Sequence, residues 1–249
     1  MRPVQITAFS LWLVAGLSWE ARAEEPGALL ERAIQAIGGA EKLKKAETLS
    51  WNSKGTVNFN GNDVSFKGKA IARGLDHMRR EIVFVGDDGE RTFLMVLGGD
   101  KGWWKFGEQP TEMEGDALAN EKRNAAMEVL STTLVGLKAN GYKLESAGEE
   151  TVAGKPAVGL KVTMPQGKNF TLFFDRTTNL PVKAVARVMG FQGEEFTQET
   201  YFRDYKDFGG IKKATRIEMK RDGEDFIKTE VSDFQVLEKA DPKAFTEPS

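Results

Sequence analysis

The sequence predicts a mainly β, α+β fold: a large curved antiparallel sheet forming a half-open β-barrel of about 11 strands, capped by an N-terminal helix and a mid-chain helix. Three observations predict it. From about residue 48 onward, most of the 249-residue chain alternates apolar and polar residues with a period of two. Short Gly-, Asn- and Asp-rich connections separate these runs. Only two stretches carry helical periodicity, so the crossover helices that parallel strands need are missing. A sheet with this many strands must curl or close; a two-sheet sandwich is the competing geometry.

Within residues 28–37, Leu29, Leu30, Ala33, Ile34 and Ile37 recur at helical spacing and Gly38-Gly39 stops the helix. In the first strand Leu49, Trp51, Ser53, Gly55, Val57 and Phe59 point one way. Asn60-Gly61-Asn62 turns the chain into a second strand carrying Val64, Phe66, Gly68, Ala70 and Ala72. Strand runs follow at about 77–85, 90–97 and 102–106. From Ala117 to Lys138 the spacing of Ala126, Leu130, Leu134 and Leu137, widened by Met127 and Val129, predicts the second helix. Beyond Asn140-Gly141 strands resume at about 142–150, 155–164, 169–175, 181–190, 195–206, 211–221 and 225–237.

Residues 1–23 read as a cleaved signal peptide. Arg2 supplies the positive start, Ile6 to Trp19 is mostly apolar, and Ala21-Arg22-Ala23 has the small-x-small form of a cleavage site. The apolar run is short of the roughly 20 residues that span a bilayer, so no transmembrane segment is expected in the mature chain. Residues 24–249 carry no Pro- or Ser-rich linker and read as a single domain exported to the periplasm.

Composition narrows the function. With 35 Lys and Arg against 37 Asp and Glu, the chain lacks the basic excess that a phosphate backbone requires, and nucleic acid is not expected as a partner. One His, His77, and no Cys leave no metal centre, no cofactor and no catalytic residue to name. His77 reads as a turn residue, and Gly86-Asp87-Asp88-Gly89-Glu90 as a solvated hairpin tip without calcium-loop spacing. Asn169-Phe170-Thr171 fits the glycosylation triplet, but its alternation reads as a buried strand. Lys212, Lys213, Arg216, Lys220 and Arg221 form a small basic patch, which a polar sheet face explains and which lipid headgroups also suit.

What remains is apolar surface. Thirteen Phe and Trp and four Met lie in or beside the strands. Large rings and flexible thioethers suit an adaptable pocket, although for any single residue core packing is the commoner role. The candidate ligand-binding residues are Trp51, Phe66, Phe84, Phe93, Met95, Trp104, Leu130, Leu134, Met164, Phe174, Met189 and Phe202. Ile82-Val83-Phe84-Val85 and Phe93-Leu94-Met95-Val96-Leu97 are apolar on both faces and so need cover on both. Adjacent strand residues face opposite ways, so one indole of Trp103-Trp104 must leave the cavity side, either to cap a rim or to dock on a membrane or partner.

Several segments resemble exported proteins with the fold of the outer-membrane lipoprotein carrier LolA. The opening from Leu29-Leu30-Glu31 through Ile37-Gly38-Gly39-Ala40-Glu41-Lys42-Leu43 to Leu49 is similar to theirs. So are Phe173-Phe174-Asp175 with Thr178-Asn179-Leu180-Pro181, Tyr205-Lys206-Asp207-Phe208-Gly209-Gly210-Ile211, and the tail with Asp241-Pro242, Phe245 and Pro248. The resemblance implies an open hydrophobic cavity for acyl chains in a non-enzymatic carrier. Its partners would be a lipid or lipidated protein and an envelope or membrane partner. A ligand-free interaction module of a cell-envelope complex is the alternative.

Overall fold

The computed structural model describes residues 25–249 except Asn60, Asp87, Asp88, Phe191 and Gln192. The expected signal peptide, Asn60 of the first hairpin turn and Asp87-Asp88 of the acidic tip lie outside the described residues. The chain opens with helices α1 (Pro26–Ile37) and α2 (Ala40–Lys45). Strands β1 (Thr48–Phe59), β2 (Asn62–Arg73), β3 (His77–Gly86), β4 (Gly89–Gly98), β5 (Lys101–Phe106) and β6 (Pro110–Glu112) form a first meander. Helix α3 (Gly115–Thr133) and a 3-10 turn (Val135–Lys138) lead to a second. It comprises β7 (Lys143–Val152), β8 (Lys155–Thr163), β9 (Asn169–Asp175), β10 (Pro181–Met189), β11 (Glu195–Phe208), β12 (Ile211–Arg221) and β13 (Glu224–Leu237).

Among the described residues these strands make one antiparallel sheet in the order β6-β5-β4-β3-β2-β1-β13-β12-β11-β10-β9-β8-β7. The two meanders meet where β1 pairs with β13, and β6 and β7 are left as edges, so the barrel is half open. The sheet has 13 strands rather than about 11. Strand β6, three residues beginning with Pro110, is too short to show a period in the sequence. The mid-chain helix also ends earlier than expected, at Thr133, because Leu134 turns into the left-handed region with φ 59°. Leu134 and Leu137 are nonetheless buried, as the helical stripe implies.

Register assigns the faces. Trp51 opposes Ala70, Ala70 opposes Arg80, Arg80 opposes Met95 and Met95 opposes Trp104, which places all five on the concave face. The core lies there. Leu29, Leu30, Ile34 and Ile37 of α1, Leu130 of α3, and Leu134 and Leu137 pack with Leu49, Trp51, Leu97, Leu160, Leu172 and Phe174 from the sheet. Phe170 is buried, as its strand alternation implied.

The glycine pairs flagged in the sequence have a physical reason. Gly38 ends α1 against the β11–β12 turn, and a Cβ there would sit 2.6 Å from the Gly210 carbonyl. The two motif segments therefore touch backbone to backbone. At the next turn along, Asp175 Oδ1 accepts from the Thr177 amide, the Thr178 amide and the Thr178 hydroxyl, and Arg32 of α1 donates to Asn179. Burial alone would push the Asp175 carboxyl up; these hydrogen bonds and Lys155 outweigh it and hold it below its ordinary value.

Over β4 and β5 the convex face is closed by the chain itself, while Val85 of β3 on the same side stays exposed. Leu94, Val96 and Trp103 form a buried cluster on that side of β4 and β5. The C-terminal segment runs beside it. Phe245 packs edge-on against His77, 5.4 Å between ring centres, with the Arg73 guanidinium 5.0 Å from its ring. The Ser249 carbonyl accepts from Lys105 at 2.6 Å. Trp103 is thus the indole that leaves the concave side. It is covered by the chain's own neighbours rather than presented for docking, and His77 is a tail anchor rather than a bare turn residue.

The β1–β13 seam tolerates no side chain at Gly55, where a Cβ would lie 1.8 Å from the Lys228 carbonyl. Gly55→Ala is expected to lower stability by about 1–3 kcal/mol through overpacking. Gly27→Ala, in α1 with nothing within 4 Å, is expected to be neutral or stabilising. Urea unfolding of both variants checks the pair.

Candidate functional site

The concave face divides into two zones. Around α1, the C-terminal half of α3 and the 3-10 turn it is packed shut. Trp51, Met95, Leu130, Leu134, Met164 and Phe174, half of the candidate ligand-binding residues, are buried in that core. At the other end, toward the β1–β2, β3–β4 and β5–β6 turns, the same face opens. Register brings Val57, Val64, Phe66, Ile82, Phe84, Phe93 and Phe106 onto it. Phe66 is buried, Phe84 and Phe93 are half-buried, and Phe59 and Phe106 are 47% and 60% exposed. The rings meet in pairs, with Phe59 edge-on to Phe84 at 6.0 Å and Phe93 tilted against Phe106 at 6.5 Å. Trp104, half-buried, joins this zone to the core.

Phe202 lies on the concave face opposite Ile217, half-buried. Met189 ends β10, where its backbone is bracketed by the Asn120 side chain of α3: Met189 N donates to Oδ1 and Met189 O accepts from Nδ2, both at 3.2 Å. The structure therefore brings Phe66, Phe84, Phe93 and Trp104 together and holds Phe202 and Met189 apart from them. Two surface hollows lie elsewhere. A shallow one of about 500 Å³ sits between α1 and Asn179, and a cleft of about 340 Å³ runs beside Val152, Ala157, Val182 and Tyr201.

Beneath α3 lies a group of charges that the sequence reading did not single out. Glu121, Asn124, Glu128 and Thr132 recur at spacings of three and four and share one side of the helix. Facing them from the sheet are Arg80 of β3 and Lys213 and Arg221 of β12. Arg80 pairs with Glu128. Lys213 Nζ donates to Thr132 Oγ1 at 2.7 Å and sits 5.6 Å from the Trp51 ring centre and 5.8 Å from that of Phe234. Arg221 lies over Phe226 at 3.8 Å and Phe196 at 5.1 Å. The signal was present in the alternation. Arg80 interrupts the inward series Met78, Ile82, Phe84, and Lys213 falls between Ile211 and Thr215 on the same side of β12.

These charges are costly. Burial pulls the Lys213 ammonium down to about 8, with Glu128 raising it and Arg80 lowering it further. Burial pushes the Glu121 carboxyl up, against the pull of Arg80, Asn120 and Arg221. The expected basic patch is thus not one surface. Lys213 turns inward and is buried, whereas Arg216 pairs with Asp204 and Glu218, and Lys220 pairs with Asp225. Among the described residues no three His, Cys, Asp or Glu side chains are placed to hold a metal ion, and no helix is long and apolar enough to cross a membrane.

At the level of sequence, no family model and no curated protein matches the chain. Solved structures do. A LolA superfamily protein from Nitrosomonas europaea is similar at a TM-score of 0.53 and 16% identity over 90% of this chain and 99% of the other. A DUF1329 family protein from Desulfovibrio piger is similar at 0.56 and 14%, over 90% and 98%. A putative outer membrane lipoprotein-sorting protein domain from Vibrio parahaemolyticus is similar at 0.52 and 14%, over 87% and 97%. The chain has the fold of LolA superfamily and lipoprotein-sorting proteins, as the resemblance of its motifs implied. At these identities the likeness speaks for the fold alone.

Lys213→Met keeps the packing volume and removes the buried charge. At pH 7 it is expected to raise unfolding free energy by on the order of 2–3 kcal/mol. The folded value of Lys213 lies below its ordinary 10.5. Below about pH 8 the charged side chain therefore penalises the wild-type fold in full, and the penalty fades as the folded Lys213 loses its proton while the unfolded chain keeps its own, ending near pH 10.5. The variant's advantage should shrink between pH 8 and 10.5 in paired denaturation curves.

Proposed function

We propose that this protein is an exported, non-enzymatic carrier or binding protein that shelters the acyl chain of a lipid or lipidated protein on its concave face, with α3 as the lid. One observation carries this reading. The apolar concave face continues past its helical cover into a mouth lined by Phe59, Phe66, Phe84, Phe93 and Phe106, whose outer rings face solvent. An exposed, contiguous aromatic patch at the rim of a curved sheet marks a binding surface. Each methylene buried there contributes about 0.8 kcal/mol, so a fatty chain binds without directional chemistry.

Space for a whole chain comes from α3. Its underside seats Ala125, Ala126, Val129 and Leu130 in the core, but Glu121 and Glu128 beside them face sheet cations, so lifting it also breaks ion pairs that water can replace, at lower cost per contact than opening a wholly dry core. The signal-peptide features of residues 1–23 support delivery to the periplasm, with the mature chain beginning at Glu24. The LolA-like fold of lipoprotein-sorting proteins agrees with a role beside lipids and envelope partners.

Native mass spectrometry of protein purified from its own host should find co-purified lipid. A fluorescent fatty acid should bind, and Phe84→Glu, placing a charge in the mouth, should weaken it at least tenfold. Val85→Glu, the next residue but on the opposite face and already exposed, should not. An empty protein that also fails to bind the probe overturns the carrier reading in favour of a ligand-free envelope interaction module.

A further inference from the structure

We propose that Arg80 and Lys213 form a site for the anionic headgroup of the bound amphiphile, a phosphate or carboxylate, and that Glu128 of α3 occupies it when the protein is empty. This deepens the carrier reading and rests on it.

The charge arrangement argues for it. Two sheet cations, Arg80 and Lys213, converge under the C-terminal half of α3, where the helix offers the Glu128 carboxylate. Lys213 is the cation left over. Its hydrogen bond goes to a neutral hydroxyl, and Thr132 Oγ1 is itself committed to donating to the Glu128 carbonyl at 2.9 Å. Two aromatic faces supply the rest of its surroundings. A buried ammonium without its own carboxylate is an expensive group to retain for packing alone, since an apolar side chain of the same length fills the volume at no charge penalty. An incoming anion gives it the missing partner.

A second feature points the same way. Asn124, on the same side of α3 as Glu121 and Glu128, has a buried side-chain oxygen with no hydrogen-bond partner among the described residues. A glycerol hydroxyl next to a headgroup phosphate is a suitable donor for it.

The location also fits an amphiphile. Arg80 stands on the concave face two residues from Ile82 and four from Phe84, and opposes Met95, the neighbour of Trp104 across the next strand pair. A chain lying along the aromatic mouth therefore ends its polar head at the cations. Exchange of the Glu128 carboxylate for the ligand's anion then loosens the helix at the moment the ligand enters.

The test compares amphiphiles with one chain and different heads, by displacement of a fluorescent fatty acid at pH 7. In the wild type, oleate and 1-oleoyl-lysophosphatidic acid should bind at least tenfold more tightly than the neutral monoolein. Lys213→Met should erase most of that preference and leave monoolein unchanged. Glu128→Gln, which removes the internal competitor, should tighten the anionic ligands several-fold. Equal affinity for oleate and monoolein in the wild type, or an equal loss of both in Lys213→Met, overturns the headgroup site while the carrier reading stands. Failure of all three amphiphiles and of inorganic phosphate overturns both. If inorganic phosphate alone binds in a Lys213-dependent way and the amphiphiles do not, the anion site holds with a free anion as its ligand and the carrier reading falls.

Discussion

The pairing of β1 with β13 is the constraint on which the rest of the molecule depends. Each meander is built from local hairpins, but neither encloses anything alone. Joining the first strand to the last makes a single curved surface whose concave side collects apolar residues from both halves of the chain. The seam runs from Thr48 opposite Leu237 to Val57 opposite Ile227, with an irregularity between Ser50 and Asn52. Such a pairing spans nearly the whole sequence and carries a large loop-closure cost. Gly55 and the Lys228 carbonyl touching across it show how closely the two halves are fitted. Helices α1 and α3 then have a floor to pack on.

That floor is unevenly covered, and the proposed function rests on the unevenness. One end is a core of buried Leu, Ile and Phe under α1 and the 3-10 turn. The other end presents aromatic rings to solvent. Between them α3 lies across charges, held by Arg80 with Glu128, by Lys213 with Thr132, and by the Asn120 bracket on Met189. Where α3 is held by these polar contacts it is more readily separated from the sheet than at Ala126, Val129 and Leu130, which are seated in the core. Under the proposed headgroup site, stability is forgone at Lys213 because a group that binds is retained against the interest of the empty fold.

Much of this was legible in the sequence, for identifiable reasons. Long strands with one apolar face, such as β1 and β2, announce themselves by alternation, and their Gly- and Asn-rich turns fix the hairpins. The motifs around Gly38-Gly39 and Gly209-Gly210 pointed to the fold because two backbones meet there. What escaped notice lacked a periodic signature or broke one. Strand β6 is three residues long and contains Pro110. Leu134 adopts a left-handed conformation that a leucine does not advertise. The inward turn of Lys213 was hidden by its neighbours Lys212 and Arg216, which made a split pair of faces look like one basic patch. Single-residue packing was equally opaque. Leu130 and Phe84 are both apolar and both inward, yet one is sealed in the core and the other lines the mouth, a difference set by where the helices end.

Adjacent tryptophans on opposite faces offer the most direct check on where an apolar ligand lies. With Trp12, Trp19 and Trp51 replaced by Phe, one variant keeps only Trp104 on the concave face and a second keeps only Trp103 on the convex face. Titrating each with a brominated fatty acid should quench the Trp104 emission strongly and leave Trp103 nearly unaffected. Equal quenching of both, or quenching of Trp103 alone, would contradict binding on the concave face.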